Sequence, residues 1–426
     1  MQASNRYIVT VTPMLVGNAS TPYPSKPIDI GGELIYSSVD VTNMTNSGFS
    51  IVNTDLQVER YKKYSWHVCG YKVITDETQM FDNPSIKIAS DLTCFTIQDN
   101  VVIGFDDDGY MTVVVPNGVI SIGKNVFNGC YEVQSFILPK SLSSIGDRAF
   151  FNCTSINGIV IPDNVTQISS EAFSSCSNLA YVSMGQNVDF VGTSAFCNDA
   201  KLATITRFND EDSGHTFNMV GDYAFYGIAA KKLNLALKSA AIDSFWGDYC
   251  FAGNDNLQEV NILSSSYMST GMFSNCHSLE TVNFKNNHTS YVYPKTFENC
   301  TSLKNITLPS KIWYISEEMF KGCTSLKSVK FNIYDKLSSM INLIQRNAFY
   351  GCSSLQELEL PETIDSLDCL DDACLSNCAL STITFHGISK ASFLKGGGSE
   401  GFADVIEKTG MFRLCRDCKI ICAGNE

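Results

Sequence analysis

Three cysteines near the end of the chain have a spacing typical of a metal site. Cys415, Cys418 and Cys422 form C-x2-C-x3-C, and thiolates at such intervals are common zinc ligands. A structural zinc ion needs four ligands, and neither a second C-x2-C pair nor a nearby histidine completes this set, although Cys369 or Cys374 could approach in space. We therefore predict no metal, and favour packed reduced thiols over a single disulfide.

A run of acidic residues is the second candidate for cation binding. Asp106, Asp107 and Asp108 are followed by Gly109. An EF-hand calcium loop requires oxygen ligands at alternating positions and a distant glutamate, which this run lacks. The run therefore predicts a turn between two strands.

No motif predicts catalysis. The histidines are scattered without a partner at a motif spacing: His67, His215, His277, His288 and His386. Nucleophile-elbow, zinc-protease, phosphate-loop and dinucleotide-binding patterns are all missing. We predict no enzyme, no catalytic residues and no cofactor.

The composition and charge of the chain indicate which classes of partner it is expected to lack. The 426 residues are 44% hydrophobic and 17% charged, which describes a folded chain, and the formal net charge is −14. A protein of this sign has no basic surface for nucleic acid. No stretch reaches ~18 consecutive apolar residues, so we predict no membrane insertion. The first residues carry no secretion signal, so export must rely on a segment removed from this sequence or on another route.

An internal repeat organises most of the chain. A phenylalanine followed three residues later by cysteine recurs at Phe127/Cys130, Phe150/Cys153, Phe173/Cys176, Phe273/Cys276, Phe297/Cys300, Phe320/Cys323 and Phe349/Cys352. Degenerate copies occur at Phe196/Asp199, Phe225/Ile228, Phe251/Asn254 and Leu375/Cys378. The steps between these anchors are 23, 23, 23, 29, 26, 22, 24, 23, 29 and 26 residues. We predict about eleven stacked coils, with these phenylalanines and cysteines forming the repeat core.

Each copy has the same internal pattern. Over residues 303–323, Leu303, Ile306 and Leu308 predict a strand that Pro309 ends, because proline cannot donate to a β-ladder. A second short strand follows, and Phe320 then fills the coil. The repeated cysteines stack in one column, where in-register neighbours rarely have disulfide geometry, so we predict buried thiols. Residues 207–220 interrupt the pattern and predict an insertion that bulges from one face.

The consensus LxxIxIPxxVxxIxxxAFxxCxxL resembles the BspA-like leucine-rich repeat, also called the Treponema pallidum type. The best matches are FILPKSLSSIGDRAFFNC at 136–153 and IVIPDNVTQISSEAFSSC at 159–176. The resemblance covers about residues 110–388. It implies a curved right-handed solenoid with parallel sheets and a role in adhesion or recognition at microbial surfaces.

These patterns divide the chain into three predicted regions. The fold class is mainly β, with a leucine-rich-repeat solenoid over 101–388 behind a small β-rich domain over 1–100, for which an immunoglobulin-like sandwich fits. VVIGF and YMTVVVP, joined by DDDG, predict part of the cap that shields the first coil. Residues 389–426 predict a C-terminal cap of helical or mixed structure.

Two outward columns are candidate binding surfaces. The position that lies six residues before an anchor is occupied, in six successive copies, by Phe190, Met219, Phe245, Tyr267, Tyr291 and Tyr314. Tyr293 and Trp313 lie beside this column. Successive side chains of a strand point to opposite faces, and the apolar residue after each of these column residues should point inward. The column residues themselves should therefore point outward. The aromatic column is either a ladder that stiffens the sheet or a platform for sugar rings or a protein, with Phe245, Tyr267, Tyr291, Tyr293, Trp313 and Tyr314 as its candidate residues.

The second column is the polar outward face of the first strand in each copy. Its members are Tyr181/Ser183, Glu259/Asn261, Thr281/Asn283, Asn305/Thr307, Ser328/Lys330, Glu357/Glu359 and Thr382/Thr384. Repeat proteins commonly bind through such a face, but plain solvation explains it equally well.

Two functions fit these features. The first is recognition or adhesion outside the cell, at a microbial surface, through binding of a protein or a surface glycan. The second is a structural role in a phage virion, which the lack of a secretion signal and the many reduced cysteines favour. In either case residues 1–100 could attach the chain to a larger assembly or form a homo-oligomer.

Overall fold

The computed structural model describes residues 92–209, 216–237, 245–285, 289–332, 340–395 and 418–424, together with seven short strands before residue 90. Six of those strands pair antiparallel: β1 (Arg6–Tyr7) with β6 (Val73–Ile74), β2 (Val11–Met14) with β5 (Ser65–Val68), and β3 (Asp40–Thr45) with β4 (Gly48–Val52). The predicted immunoglobulin-like sandwich falls mostly outside the described residues and stays a prediction.

The described part beyond residue 87 is a β-solenoid of about eleven coils, as predicted. Parallel strands stack along side A of the coils: β7 (Ile88–Ala89), β10 (Thr112–Val114), β12 (Ser135–Ile137), β14 (Gly158–Val160), β16 (Tyr181–Ser183), β18 (Thr204–Ile205), β20 (Lys232–Ala236), β22 (Glu259–Ser264), β24 (Thr281–Phe284), β26 (Asn305–Leu308), β28 (Ser328–Phe331), β30 (Glu357–Leu360), β31 (Thr382–Phe385) and β32 (Lys419–Cys422). Strand β26 ends directly before Pro309, as the pattern predicts.

Shorter strands stack along side B of the coils. They are β8 (Phe95–Gln98), β9 (Val101–Phe105), β11 (Ser121–Ile122), β13 (Ser144–Ile145), β15 (Gln167–Ile168), β17 (Phe190–Val191), β19 (Met219–Val220), β21 (Phe245–Trp246), β23 (Tyr267–Met268), β25 (Tyr291–Val292), β27 (Tyr314–Ile315) and β29 (Leu343–Ile344). All their pairings are parallel except that of β8 with β9, a hairpin at the N-terminal end of the stack. Among the described residues, two helices, α1 (Thr206–Asn209) and α2 (Lys390–Lys395), and two 3-10 turns, Leu92–Cys94 and Leu367–Cys369, complete the elements.

The third side of each coil, side C, is held by backbone hydrogen bonds around the anchor phenylalanine. Around Phe150, for example, the N–H groups of Arg148, Phe150 and Asn152 donate to carbonyls of the next coil at 2.8–2.9 Å. Arg148 and Asn152 both have left-handed backbone, with φ of 53° and 59°. The same two positions are left-handed in the other coils, so this backbone pattern is part of the repeat.

The anchor phenylalanines form one continuous column. Ten of them stack face to face at centroid distances of 4.8–6.0 Å: Phe127, Phe150, Phe173, Phe196, Phe225, Phe251, Phe273, Phe297, Phe320 and Phe349. Every one of these rings is fully buried. No single coil could bury its ring alone, so the stacking of coils creates the core.

The repeated cysteines fill a column beside the rings and have a specific bonding role. Seven of their thiols lie 3.0–3.3 Å from the carbonyl oxygen of the anchor phenylalanine one coil earlier and donate to it: Cys153, Cys176, Cys276, Cys300, Cys323, Cys352 and Cys378. Cys130 is likewise buried and reduced. Burial raises the pKa of Cys276 and Cys323 to about 12, which keeps the S–H proton in place.

Most of the cysteines should therefore react as free thiols once the chain is unfolded. A thiol reagent added to denatured, unreduced protein is expected to count most of the seventeen cysteines as free. Recovery of only about four or fewer would mean that the column pairs into disulfides despite its geometry.

One expectation about the interruptions of the repeat needs correction. The insertion at 207–220 was expected to bulge outward, which is wrong for its ends: Phe208 and Phe217 are buried, and the Phe208 ring meets Phe225 edge-on at 5.0 Å. Arg207 is also buried, with its guanidinium 4.4 Å from the centre of the Phe217 ring. Residues 210–215 lie outside the described part of the chain.

The two ends of the array are built from ordinary coil elements. Strand β9 precedes the first anchored coil on side B and pairs with β11, and β10 is the side A strand of that coil. DDDG is the turn between β9 and β10, where the Gly109 N–H donates to Asp107 Oδ1 at 3.2 Å. At the other end, β32 pairs in parallel with β31 and extends side A beyond α2. The division into three domains stays a prediction.

Candidate functional site

The aromatic column lies on the outer surface of side B. Each short strand places its first residue outward and its second inward, so Val191, Met268 and Val292 are buried beneath the column. Tyr267 and Tyr291 are directly opposite each other in neighbouring strands. Phe190, Met219 and Phe245 are aligned in the same way in the preceding coils.

Four tyrosines of the column are brought together. The rings of Tyr267 and Tyr293 meet edge-on at 6.0 Å, and those of Tyr291 and Tyr314 are tilted at 6.5 Å. Tyr291 and Tyr293 each keep 44% of their surface exposed. Aromatic pairs prefer edge-on and offset arrangements, so this geometry suits a structural ladder as well as a contact surface.

The surroundings of two tyrosines in the column raise the pKa of their hydroxyl groups. Burial raises the pKa of Tyr267 to about 12, and burial followed by the proximity of Tyr293 and Tyr291 raises the pKa of Tyr314. Both hydroxyls therefore stay protonated at neutral pH and can donate a hydrogen bond.

Two candidate residues extend the column at its ends. Phe245 lies one coil before Tyr267 with 38% of its surface exposed, and Trp313 lies beside Tyr314 with 44% exposed. Among the described residues, neither of these two rings contacts another ring of the column. The six candidate residues thus form a central tyrosine cluster flanked by two separate aromatic side chains.

One residue of the polar column on side A is buried, whereas the whole column was predicted to face outward. Asn234, Asn261 and Asn283 form an amide ladder, in which Asn261 Nδ2 donates to Asn234 Oδ1 at 2.8 Å and Asn283 Nδ2 donates to Asn261 Oδ1 at 2.9 Å. Asn261 is fully buried, so the expectation that it faces solvent is wrong. It stabilises the stacking of three coils and is not available to a partner there.

A second aromatic group was not predicted. Tyr223, Tyr226 and Tyr249 lie together on side C, and Tyr223 stacks on Tyr249 at 5.3 Å with an interplanar angle of 8°. A signal was present in the sequence, because GDYAFYG at 221–227 and GDYCFAG at 247–253 repeat one pattern that no other copy has.

The terminal cysteines are only partly described. Cys418 and Cys422 lie in or beside β32, half-buried and reduced, whereas Cys415 lies outside the described residues. Within the described ranges, no three His, Cys, Asp or Glu side chains are grouped as metal ligands. No helix in that part of the chain is both long and apolar enough to cross a bilayer.

The stacked parallel strands and the continuous column of anchor phenylalanines define a solenoid repeat protein. A family model described as a BspA type leucine rich repeat region matches six copies over residues 104–213, 218–338 and 335–395. These matches cover more than half of the chain, which therefore belongs to the BspA-type leucine-rich repeat family. The resemblance noted in the repeat consensus is confirmed.

Solved structures with a similar fold come from several bacteria. A leucine-rich repeat protein from Bacteroides ovatus is 20% identical, over 75% of this chain and 93% of its own, with a TM-score of 0.37. The pneumococcal vaccine antigen PcpA is 18% identical, over 74% of this chain and 69% of its own, with a TM-score of 0.41. The Treponema pallidum leucine-rich repeat protein is 18% identical, over 50% of this chain and 90% of its own, with a TM-score of 0.35. No curated protein matches the sequence significantly.

Proposed function

We propose that this chain is a non-enzymatic recognition or adhesion protein that binds a protein or glycan at a microbial surface through the aromatic column of side B. The observation that carries the proposal is the exposure of Tyr291, Tyr293 and Trp313, each at 44%, on neighbouring coils of side B. Exposed aromatic clusters of this kind usually mark contact sites.

Membership of the family supports a position outside the cell, since BspA-type repeats are typical of cell-surface proteins. The family fold is also typical of recognition and not of catalysis. Attachment or self-association through residues 1–100 and the alternative of a virion protein remain predictions from the sequence.

Replacing Tyr267, Tyr291 and Tyr314 together with serine tests the proposal. The three side chains contribute little to the core, so the melting temperature should change little. Binding to the natural partner should weaken by about tenfold or more, because stacked aromatic side chains are typical energetic anchors. Glycan-array and whole-cell binding of the wild type and the triple variant measure the effect.

Two tyrosines outside the column provide the control. Tyr131 and Tyr350 are exposed to a similar extent, and their replacement with serine should leave binding unchanged. If the triple variant binds normally and melts normally, the proposal fails and the polar column of side A becomes the candidate. If it binds normally but melts at a lower temperature, the column is a structural ladder and the proposal also fails.

A further inference from the structure

Tyr223 and Tyr249 occupy a backbone position that does not favour aromatic residues. Both lie two residues before an anchor phenylalanine, with φ of 55° and 56°. Left-handed backbone is costly for a bulky side chain and suits asparagine or glycine better. Other coils carry residues such as Asn125, Ser194 and Asn347 at this position, so the repeat itself does not require tyrosine.

The neighbouring coils make room for these rings. A Cβ atom on Gly271, which follows Tyr249 at the same position of the next coil, would lie 2.1 Å from Tyr249 Cε1. A Cβ atom on Gly253 would lie 2.9 Å from Tyr226 Cζ. The three rings therefore lie along the coil surface, with Tyr226 edge-on to Tyr223 at 5.9 Å.

Two carboxylates stand beside the rings. Asp222 and Asp248 precede the two tyrosines, and both side chains are exposed. Asp222 Oδ1 accepts the Asp248 N–H at 2.8 Å, and Asp248 Oδ1 accepts the Thr270 N–H at 3.1 Å, so each carboxylate is held in place by the following coil. Burial, and then the nearby Tyr249, Asp222 and Asp248, raise the pKa of Tyr223.

We propose that this tyrosine–aspartate patch (Asp222, Tyr223, Tyr226, Asp248 and Tyr249) binds an arginine side chain presented by a protein partner. A guanidinium stacks on the electron-rich face of a tyrosine ring, and its fork of N–H donors matches a carboxylate. The two fixed carboxylates add a charge requirement that a neutral sugar does not meet. The inference goes beyond the proposed function, because it concerns a different side of the coils and a different ligand.

The test compares two peptides on the full chain. Gly-Arg-Gly-Arg-Gly is the probe, and the same peptide with citrulline in place of arginine is its neutral isostere. At low salt, surface plasmon resonance should show the arginine peptide binding the wild type about tenfold more tightly than the citrulline peptide, and added salt should reduce the difference.

Paired substitutions separate the patch from the general negative charge of the chain. Y223N/Y249N should weaken arginine-peptide binding about tenfold, while the melting temperature stays level or rises because asparagine tolerates left-handed backbone. D222N/D248N should weaken it to a similar extent, since the amide oxygen still accepts the backbone N–H but the charge is lost. D147N/D163N removes two exposed charges elsewhere and should leave most of the binding intact.

Unchanged arginine-peptide binding in Y223N/Y249N would overturn the proposal, as would equal binding of the two peptides by the wild type. A glycan whose binding is lost in Y223N/Y249N but kept in D222N/D248N would also overturn it and indicate a sugar platform. The serine triple variant of the aromatic column should bind the arginine peptide normally, so failure here and failure of the proposed function are distinguishable.

Discussion

Phe297→Ala is expected to lower the free energy of unfolding by about 3–5 kcal/mol, the usual loss when a buried aromatic side chain is truncated. The Phe297 ring is fully buried and stacks between Phe273 at 6.0 Å and Phe320 at 5.6 Å. Because it lies in mid-array, its removal opens a cavity that both neighbouring coils line. Denaturant unfolding followed by circular dichroism measures the change.

The loss should also spread along the solenoid. In a nearest-neighbour array, weakening one interface can divide a single unfolding transition into two. Phe297→Leu is the matched control, because the chain itself uses Leu375 at this position in its last copy and buries it there. We expect that variant to lose less than about 1.5 kcal/mol. A loss below about 1 kcal/mol in Phe297→Ala would contradict the assignment of Phe297 to the core.

The repeat core could be predicted because its signal is periodic. Seven copies carry both the phenylalanine and the cysteine, which is enough to align the four degenerate copies with them, and strand alternation then places side chains inward or outward. The direction of each thiol could not be predicted in the same way. The contact of Cys300 Sγ with the Phe273 carbonyl depends on the register of adjacent coils, which spacing alone does not determine.

Departures from the repeat were harder to predict because they depend on contacts between distant residues. Phe208 and Phe217 look like part of a polar insertion, yet Phe208 packs against the phenylalanine column and Phe217 packs against Phe208. Asn261 follows the outward alternation but is buried all the same. The patch on side C was missed because sequence alone does not show which position has left-handed backbone.

Asp199 and Asn254 show what happens where the cysteine column is interrupted. Each stands three residues after its anchor and is fully buried. Asp199 Oδ1 accepts the Cys176 N–H at 2.8 Å, and Asn254 Oδ1 accepts the Ile228 N–H at 2.7 Å. The two side chains therefore make the same bond to the preceding coil, but only one of them can ionise. Within the described part of the chain, Asp199 Oδ2 has no hydrogen-bond partner.

Burial raises the pKa of Asp199 well above its ordinary value of 3.8. A carboxyl group with a raised folded-state pKa binds its proton more tightly in the folded chain, so it favours folding at acid pH. As pH rises above 3.8, the unfolded carboxyl ionises first, and the free energy of unfolding falls until the folded group ionises too. Asp199 therefore destabilises the solenoid at neutral pH.

Asp199→Asn should accordingly stabilise the protein at pH 7 by an amount on the order of 3 kcal/mol, the penalty typical of an unpaired buried charge. Asparagine keeps the oxygen that accepts the Cys176 N–H, and two coils further along Asn254 accepts the Ile228 N–H in the same way. The gain should shrink toward zero as pH falls below 3.8, where the wild-type carboxyl becomes protonated in the unfolded as well as the folded state. Asn254→Asp is the reciprocal control and should lose stability at pH 7 while regaining it in acid. Urea unfolding of the three proteins across this pH range measures both differences, and a pH-independent difference would show that Asp199 is not a buried titrating group.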